Sequence, residues 1–119
     1  MPGDMGAGCM PAEMERSIAA LRVKFTEDVD SRILFFEAAL AQVRDGADRL
    51  AAAQSIRDAA HGIAGLAPSL GFAEVGAAAV QTEHVWDRLS SGTWSQAEMD
   101  AAIETLDDLL DRLEATLEL

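Results

Sequence analysis

The sequence has few of the residues that disulfide folding, cysteine-based metal binding and nucleic-acid binding require. Its single cysteine, Cys9, excludes an intrachain disulfide and a zinc site built from cysteines. Only nine basic residues stand against 21 acidic ones, so the net charge of −12 argues against binding to nucleic acids or to an anionic membrane. No apolar run approaches the roughly 18 residues of a membrane span. We therefore expect a soluble cytoplasmic protein.

Helix-breaking and aromatic residues are also scarce. Two of the three prolines fall within the first eleven residues, and tyrosine is absent. Leu, Ala, Ile and Val must therefore form most of the core, as is typical of closely packed helices. Residues 1–11 are rich in Met, Gly and Pro and have no period, which predicts a disordered tail. Residues 12–119 are long enough for a single domain.

The first half of this domain has two amphipathic stretches. Residues 12–44 predict either one long helix or two segments bent near Thr26, with Asp45-Gly46 as the stop signal. Their apolar stripe consists of Leu21, Phe25, Val29, Ile33, Phe36, Leu40 and Val43. A second helix is expected over residues 48–66, ended by Pro68. Its stripe consists of Ala53, Ile56, Ala60, Ile63 and Ala67.

The second half predicts two further helices. One spans about residues 72–89, with Phe72, Val75, Ala79, Trp86 and Leu89 facing inward. The last begins at a capping box formed by Ser95 and Glu98. Its predicted buried face consists of Met99, Ile103, Leu106, Leu110, Leu113 and Leu117. Short connections and the absence of a strand pattern predict an all-α fold, an antiparallel four-helix bundle.

His61 is the leading candidate for chemistry. It falls about 120° from the centre of its helix's apolar stripe, so we expect it on the outer flank of the bundle. Neutral imidazole is a nucleophile at physiological pH. Gly65 lies one turn further on and leaves the surface beside the ring bare, although close helix packing could also account for this glycine. Its other neighbours on the helix are Gln54, Arg57, Asp58, Ala64 and Pro68.

Other chemistries find no support in the sequence. The Glu-x-x-His repeats of metal-binding bundles are missing around both His61 and His84. No serine occupies a Gly-x-Ser-x-Gly turn, and no glycine-rich phosphate loop with Lys and Ser is present. A phosphoryl group handled by this protein would therefore have to come from another protein.

The run Ala60-His61-x-Ile63-Ala64-Gly65, followed by Leu70-Gly71-Phe72, resembles the signature of histidine-containing phosphotransfer (HPt) domains. The resemblance implies a small four-helix bundle that relays phosphoryl groups between receiver-domain aspartates. It implies that His61 is the phosphorylated residue, Gly65 the glycine that keeps the ring accessible, and Gly71 the glycine after the histidine helix. The implied partners are receiver domains or a hybrid histidine kinase, and we expect a monomeric carrier. No cofactor of its own is implied, because the divalent metal belongs to the receiver domain.

Two positions depart from the family pattern. Ala64 stands where the family often has a lysine able to meet phosphate charge, and Arg57 could replace that cation. Pro68 should shorten or kink the histidine helix. The predicted docking surface consists of Gln54, Arg57, Asp58, Ala64, Gly65 and Pro68. Three alternatives stay open: a module that docks on receivers without phosphotransfer, an unrelated helical adaptor, and a histidine kinase dimerisation segment.

Overall fold

The computed structural model describes residues 11–118, which form five α-helices and two short 3₁₀ turns without a β-strand. The helices are α1 (Ala12–Glu27), α2 (Val29–Asp45), α3 (Arg49–Leu66), α4 (Ala73–Leu89) and α5 (Gln96–Ala115). The 3₁₀ turns are Pro68–Leu70 and Thr116–Glu118. Helices α2 to α5 each pack against the next, and α5 also contacts α2, so these four close around one core.

The first predicted helix is two helices, which makes five rather than four. The break lies at Asp28, whose backbone N–H is shared between the carbonyls of Lys24 and Phe25 at 3.1 and 3.2 Å. Two residues earlier, the Thr26 hydroxyl donates to the carbonyls of Arg22 and Val23 at 3.2 and 2.9 Å. Such back-bonding by threonine bends helices. The expected bend near Thr26 is therefore present two residues later along the chain.

Local interactions define three other helix ends, close to the positions that the sequence predicts. Asp48 caps α3 by accepting from the backbone N–H of Ala51. Pro68 opens the 3₁₀ turn that follows α3. At the start of α5, Ser95 and Glu98 form both hydrogen bonds of a capping box. These interactions span at most three residues, which is why the sequence alone reveals them.

The core contains most of the residues predicted to be buried. Leu21 and Leu117 are exceptions, with exposed fractions of 50% and 48%. In α5 the buried face is centred on Met99, Ala102, Leu106, Leu109 and Leu113, while the predicted Ile103 and Leu110 are only partly buried. On this face the indole N–H of Trp86 donates to the backbone carbonyl of Ala102 at 3.1 Å. The small Ala102 side chain allows α4 and α5 to approach there.

Glycine and proline join α3 to α4 closely. Gly71 has φ 88°, a left-handed conformation that favours glycine, and it lets the chain reverse after the 3₁₀ turn. Gly76 of α4 packs against the ring of Pro68, where an added Cβ would lie 2.5 Å from the proline Cγ. The proline that ends the histidine helix is therefore also a packing residue between the two helices.

Candidate functional site

His61 lies on the outer face of α3. Its side chain is 75% exposed, while its neighbours Ala60 and Ile63 are buried in the core. This arrangement follows from the apolar period of α3, which commits the opposite side of the helix to the core. The imidazole is therefore held on a rigid helix and is open to a second macromolecule.

Glu83 of α4 holds the imidazole from one side. Its Oε2 lies 2.7 Å from His61 Nδ1. An ionised carboxylate can only accept a hydrogen bond, so it favours the tautomer that carries the proton on Nδ1. The lone pair of the neutral ring is then on Nε2. Sequence reasoning missed this partner, because Glu83 lies 22 residues further along the chain and only the packing of α3 on α4 brings the two together.

The opposite side of the imidazole is open. Both Gly62 and Gly65 are exposed, and a Cβ added to either would meet nothing within 4 Å apart from adjacent residues and the backbone of its own helix. Close helix packing, the alternative account of Gly65, therefore does not explain this glycine. Sequence reasoning did not single out Gly62, although it lies directly beside His61 in the chain.

A groove of about 490 Å³ runs between α2 and α3 on this open side. Its lining includes Gly62 and Asp58 from α3, and Arg32 and Phe35 from α2. Phe35 is 47% exposed, and its neighbour Leu34, outside the groove lining, is 66% exposed. The groove thus combines charged side chains with the exposed ring of Phe35, and it reaches Gly62, the residue that follows His61 in the chain.

Arg57, the candidate replacement for the missing lysine, is engaged with other residues. It contacts Asp58 Oδ1 at 3.0 Å, Ser90 Oγ at 3.0 Å and Asp87 Oδ1 at 3.6 Å, and none of these contacts is to His61. The hydrogen bond with Asp58 raises the pKa of Arg57 above its usual value, with Asp87 adding to the effect. Its guanidinium charge is therefore already balanced by two carboxylates, and it ties α3 to the end of α4.

The remaining residues of the predicted docking surface differ in exposure. Asp58, Gly65 and Pro68 are exposed, whereas Gln54 and Ala64 are partly buried. Pro68 presents part of its ring to Gly76 and is to that extent a structural residue. The docking role of these residues stays a prediction.

Metal binding and membrane insertion find no support in residues 11–118. That part of the chain contains no cluster of three or more His, Cys, Asp or Glu side chains that could hold a metal ion. None of its helices combines the length and apolarity needed to cross a membrane.

Comparison with known families gives one result. The family model described as "Hpt domain" matches residues 20–116, which covers α2 to α5 and about half of α1. Comparison with curated proteins and with solved structures gave no significant match. The matched segment includes His61, Glu83 and both open glycines. The chain therefore belongs to the Hpt domain family, whose members carry out histidine phosphotransfer in two-component signalling.

Proposed function

We propose that this protein relays a phosphoryl group between receiver-domain aspartates in the cytoplasm, with His61 as the residue that carries it. The observation that supports this best is the pairing of His61 Nδ1 with Glu83 Oε2 at 2.7 Å on an imidazole that is 75% exposed. A histidine held in one tautomer, with the other nitrogen facing solvent, suits nucleophilic attack on a group presented by a partner.

The imidazole keeps its Nδ1 proton through both steps of the transfer. The lone pair on His61 Nε2 attacks the phosphorus of an aspartyl phosphate, and the P–O bond to the aspartate breaks as the carboxylate leaves. The ring then bears the phosphoryl group on Nε2 and a proton on Nδ1, so it carries a positive charge that the Glu83 carboxylate stabilises. In the second step another aspartate attacks the phosphorus, and the N–P bond electrons return to Nε2.

The protein contributes position more than charge to this reaction. Ala64 offers no cation, and the recorded contacts of Arg57 go to Asp58, Asp87 and Ser90. Phosphoryl transfer depends largely on alignment and on neutralising the phosphoryl oxygens. We therefore assign neutralisation to the partner, where a divalent metal of the receiver domain is expected. The protein itself is then a carrier rather than an enzyme with its own nucleotide site.

Receiver domains would dock over the open side of the histidine. The surface comprises the predicted docking residues of α3 and the following 3₁₀ turn, together with Phe35 in the adjoining groove. Bare backbone at Gly62 and Gly65 lets a partner bring its aspartate up to the ring. A partner that docks here without exchanging phosphate is the second candidate function, and the lack of a nearby cation at Ala64 favours it.

A panel of receiver domains, each phosphorylated with radioactive phosphate, tests the proposal. Wild-type protein should take up label that is labile to acid and stable to base, as expected of phosphohistidine, whereas His61→Gln should take up none. His84→Gln is the matched control, because it removes the second of the two histidines and should leave labelling unchanged. Binding to receivers without labelling would instead support the docking module.

A further inference from the structure

Arg32 of α2 lines the groove beside the histidine helix without a partner of opposite charge. Its guanidinium carbon lies over the Phe25 ring, 5.0 Å from the ring centroid. Its Nε is buried and makes no hydrogen bond, and the guanidinium forms no ion pair within residues 11–118. Buried polar atoms in native proteins nearly always have partners. This arginine therefore calls for an explanation beyond its contact with Phe25.

The two carboxylates that line the same groove are each paired with a different cation. Asp28 Oδ1 lies 3.3 Å from Lys24 Nζ, and Asp58 Oδ1 lies 3.0 Å from Arg57 Nε. Among the described residues that line the groove, Arg32 is the one cation. A carboxylate entering the groove is repelled by the two aspartates and attracted by Arg32. The charges of the groove therefore define one position for such a group.

The groove and the Glu83 contact lie on different sides of α3. Glu83 reaches His61 from α4, whereas the groove runs between α2 and α3. Gly62, which lines the groove, lies about 100° around the helix from His61. A guanidinium in this groove meets the surface of a docked partner and not the transferred phosphoryl group. Arg32 is therefore suited to recognition of the partner.

We propose that Arg32 binds a carboxylate of the receiver domain that docks on His61, and that this contact selects among receivers. The inference rests on the proposed phosphotransfer, because it names a feature of the same partner. A guanidinium stacked on an aromatic ring keeps its outer N–H edge available, and that edge can bind a carboxylate through two parallel hydrogen bonds. The exposed ring of Phe35 in the same groove offers an apolar contact for the stem of an aspartate or glutamate. A receiver with lysine or arginine at this position would set two cations together and would be rejected.

Transfer rates at increasing receiver concentration test the contact. The probe is a phosphorylated receiver domain that labels wild type, used in excess in single-turnover transfer to His61. Arg32→Gln should raise the half-saturating concentration about tenfold, the effect of one lost hydrogen bond between charged groups, and should leave the rate at saturation unchanged.

Arg44→Gln is the matched control for this measurement. Arg44 is exposed on the same helix, about 18 Å along its axis from Arg32 and outside the groove lining, so its replacement should leave the half-saturating concentration at the wild-type value. An unchanged value for Arg32→Gln, or equal increases for both variants, would overturn the proposal.

Charge exchange identifies the carboxylate of the receiver. Arg32→Glu should weaken docking more than Arg32→Gln, because it adds a third carboxylate to the groove. Receivers in which exposed aspartates and glutamates are changed to arginine, one at a time, are then tested against Arg32→Glu. One of these receivers should restore docking on Arg32→Glu and should itself dock poorly on wild type. If none restores docking, the contact is refuted.

A stability measurement separates recognition from a role in the fold. Arg32→Met keeps an unbranched side chain over Phe25 and removes the unpartnered Nε, so its Tm should equal or exceed that of wild type. A fall of more than about 5 °C would assign Arg32 to the fold and overturn its role in recognition.

Binding measured by calorimetry distinguishes failure of this inference from failure of the proposed phosphotransfer. If only phosphotransfer fails, wild type binds receivers more tightly than Arg32→Gln does and takes up no label. If only this inference fails, label is taken up and Arg32→Gln binds like wild type. A wild type that neither binds nor takes up label from any receiver would refute both.

Discussion

Replacing Gly62 by alanine should stabilise the protein, whereas the same replacement at Gly76 should destabilise it. Both glycines lie inside helices, where alanine is favoured over glycine by about 0.5–1 kcal/mol. At Gly62 the new Cβ meets nothing within 4 Å, so the whole gain should be realised. At Gly76 it would lie 2.5 Å from Cγ and 2.9 Å from Cδ of Pro68, a ring that cannot rotate away.

The size of the two effects follows from these contacts. Overpacking costs typically about 1–3 kcal/mol, which exceeds the gain in helix propensity, so Gly76→Ala should lower the free energy of unfolding by about 1–2 kcal/mol. Gly62→Ala should raise it by about 0.5–1 kcal/mol, or about 2–5 °C in Tm. Urea titration and thermal melting followed by circular dichroism at 222 nm measure both. A destabilised Gly62→Ala variant, or a stabilised Gly76→Ala variant, would refute the reasoning.

The open glycines also connect stability to function. If Gly62 and Gly65 keep His61 accessible, the reason for these two helix-destabilising residues is phosphotransfer and not packing. Gly65→Glu should then fold with helicity near that of wild type and yet fail to accept phosphate from a receiver domain. Gly92→Glu is a control with the same charge, in a loop where an added Cβ would also meet nothing within 4 Å, although its positive φ carries some backbone strain. Full transfer to Gly65→Glu would show that access to the ring is not what this glycine provides.

Three further predictions concern the site and the ion pairs of the protein. Glu83→Ala should slow phosphoryl transfer to His61 about 10–100-fold in single-turnover labelling, because a hydrogen bond to a charged group is worth about 1.5–3 kcal/mol; an unchanged rate would remove Glu83 from the mechanism. Arg57→Ala should change that rate less than about twofold, because its guanidinium is held by Asp58 and Asp87; a tenfold change, about 1.4 kcal/mol, would show that it leaves them to meet the phosphate. The third prediction concerns pH. Hydrogen bonding from the Ser95 backbone, aided by Arg88, lowers the pKa of Glu98. The ionised Glu98 therefore stabilises the fold above its unfolded-state pKa, and this stabilisation is lost as pH falls through the lower folded-state pKa. Urea titrations between about pH 6 and 3 should therefore show a smaller acid-induced loss of stability for Glu98→Gln than for wild type, and equal losses would contradict this.

Much of the fold could be predicted because its determinants are local. The ends of α3 and α5 depend on Asp48, Pro68 and the Ser95–Glu98 capping box, whose bonds join residues three apart. The outward position of His61 followed from the period of one helix. Prediction was weaker where a helix meets a neighbour: Leu21 was expected in the core, yet only the last turns of α1 reach the bundle.

The candidate site was predicted in part. His61 and Gly65 are identifiable from the sequence, because their types and spacing are those of the family signature. Glu83 is not identifiable in this way, because nothing in the sequence around it on α4 indicates that it contacts a residue of α3. Arg57 was suggested as a cation near the ring from its distance along the helix; its side chain contacts Asp87 and Ser90 at the end of α4, and a role at the phosphate stays a prediction.

The sequence by itself determined the bounds of α3 and α4 to within about one residue, the start of α5, the apolar face of α3, and that an exposed histidine stands beside small residues. These properties arise from interactions within a turn or two of one helix. Only the tertiary structure decided that Glu83 orients the imidazole, that Pro68 packs on Gly76, and that α5 turns Ala102 toward Trp86. The reason is physical: contacts between helices depend on their separation and rotation, which the whole core sets jointly.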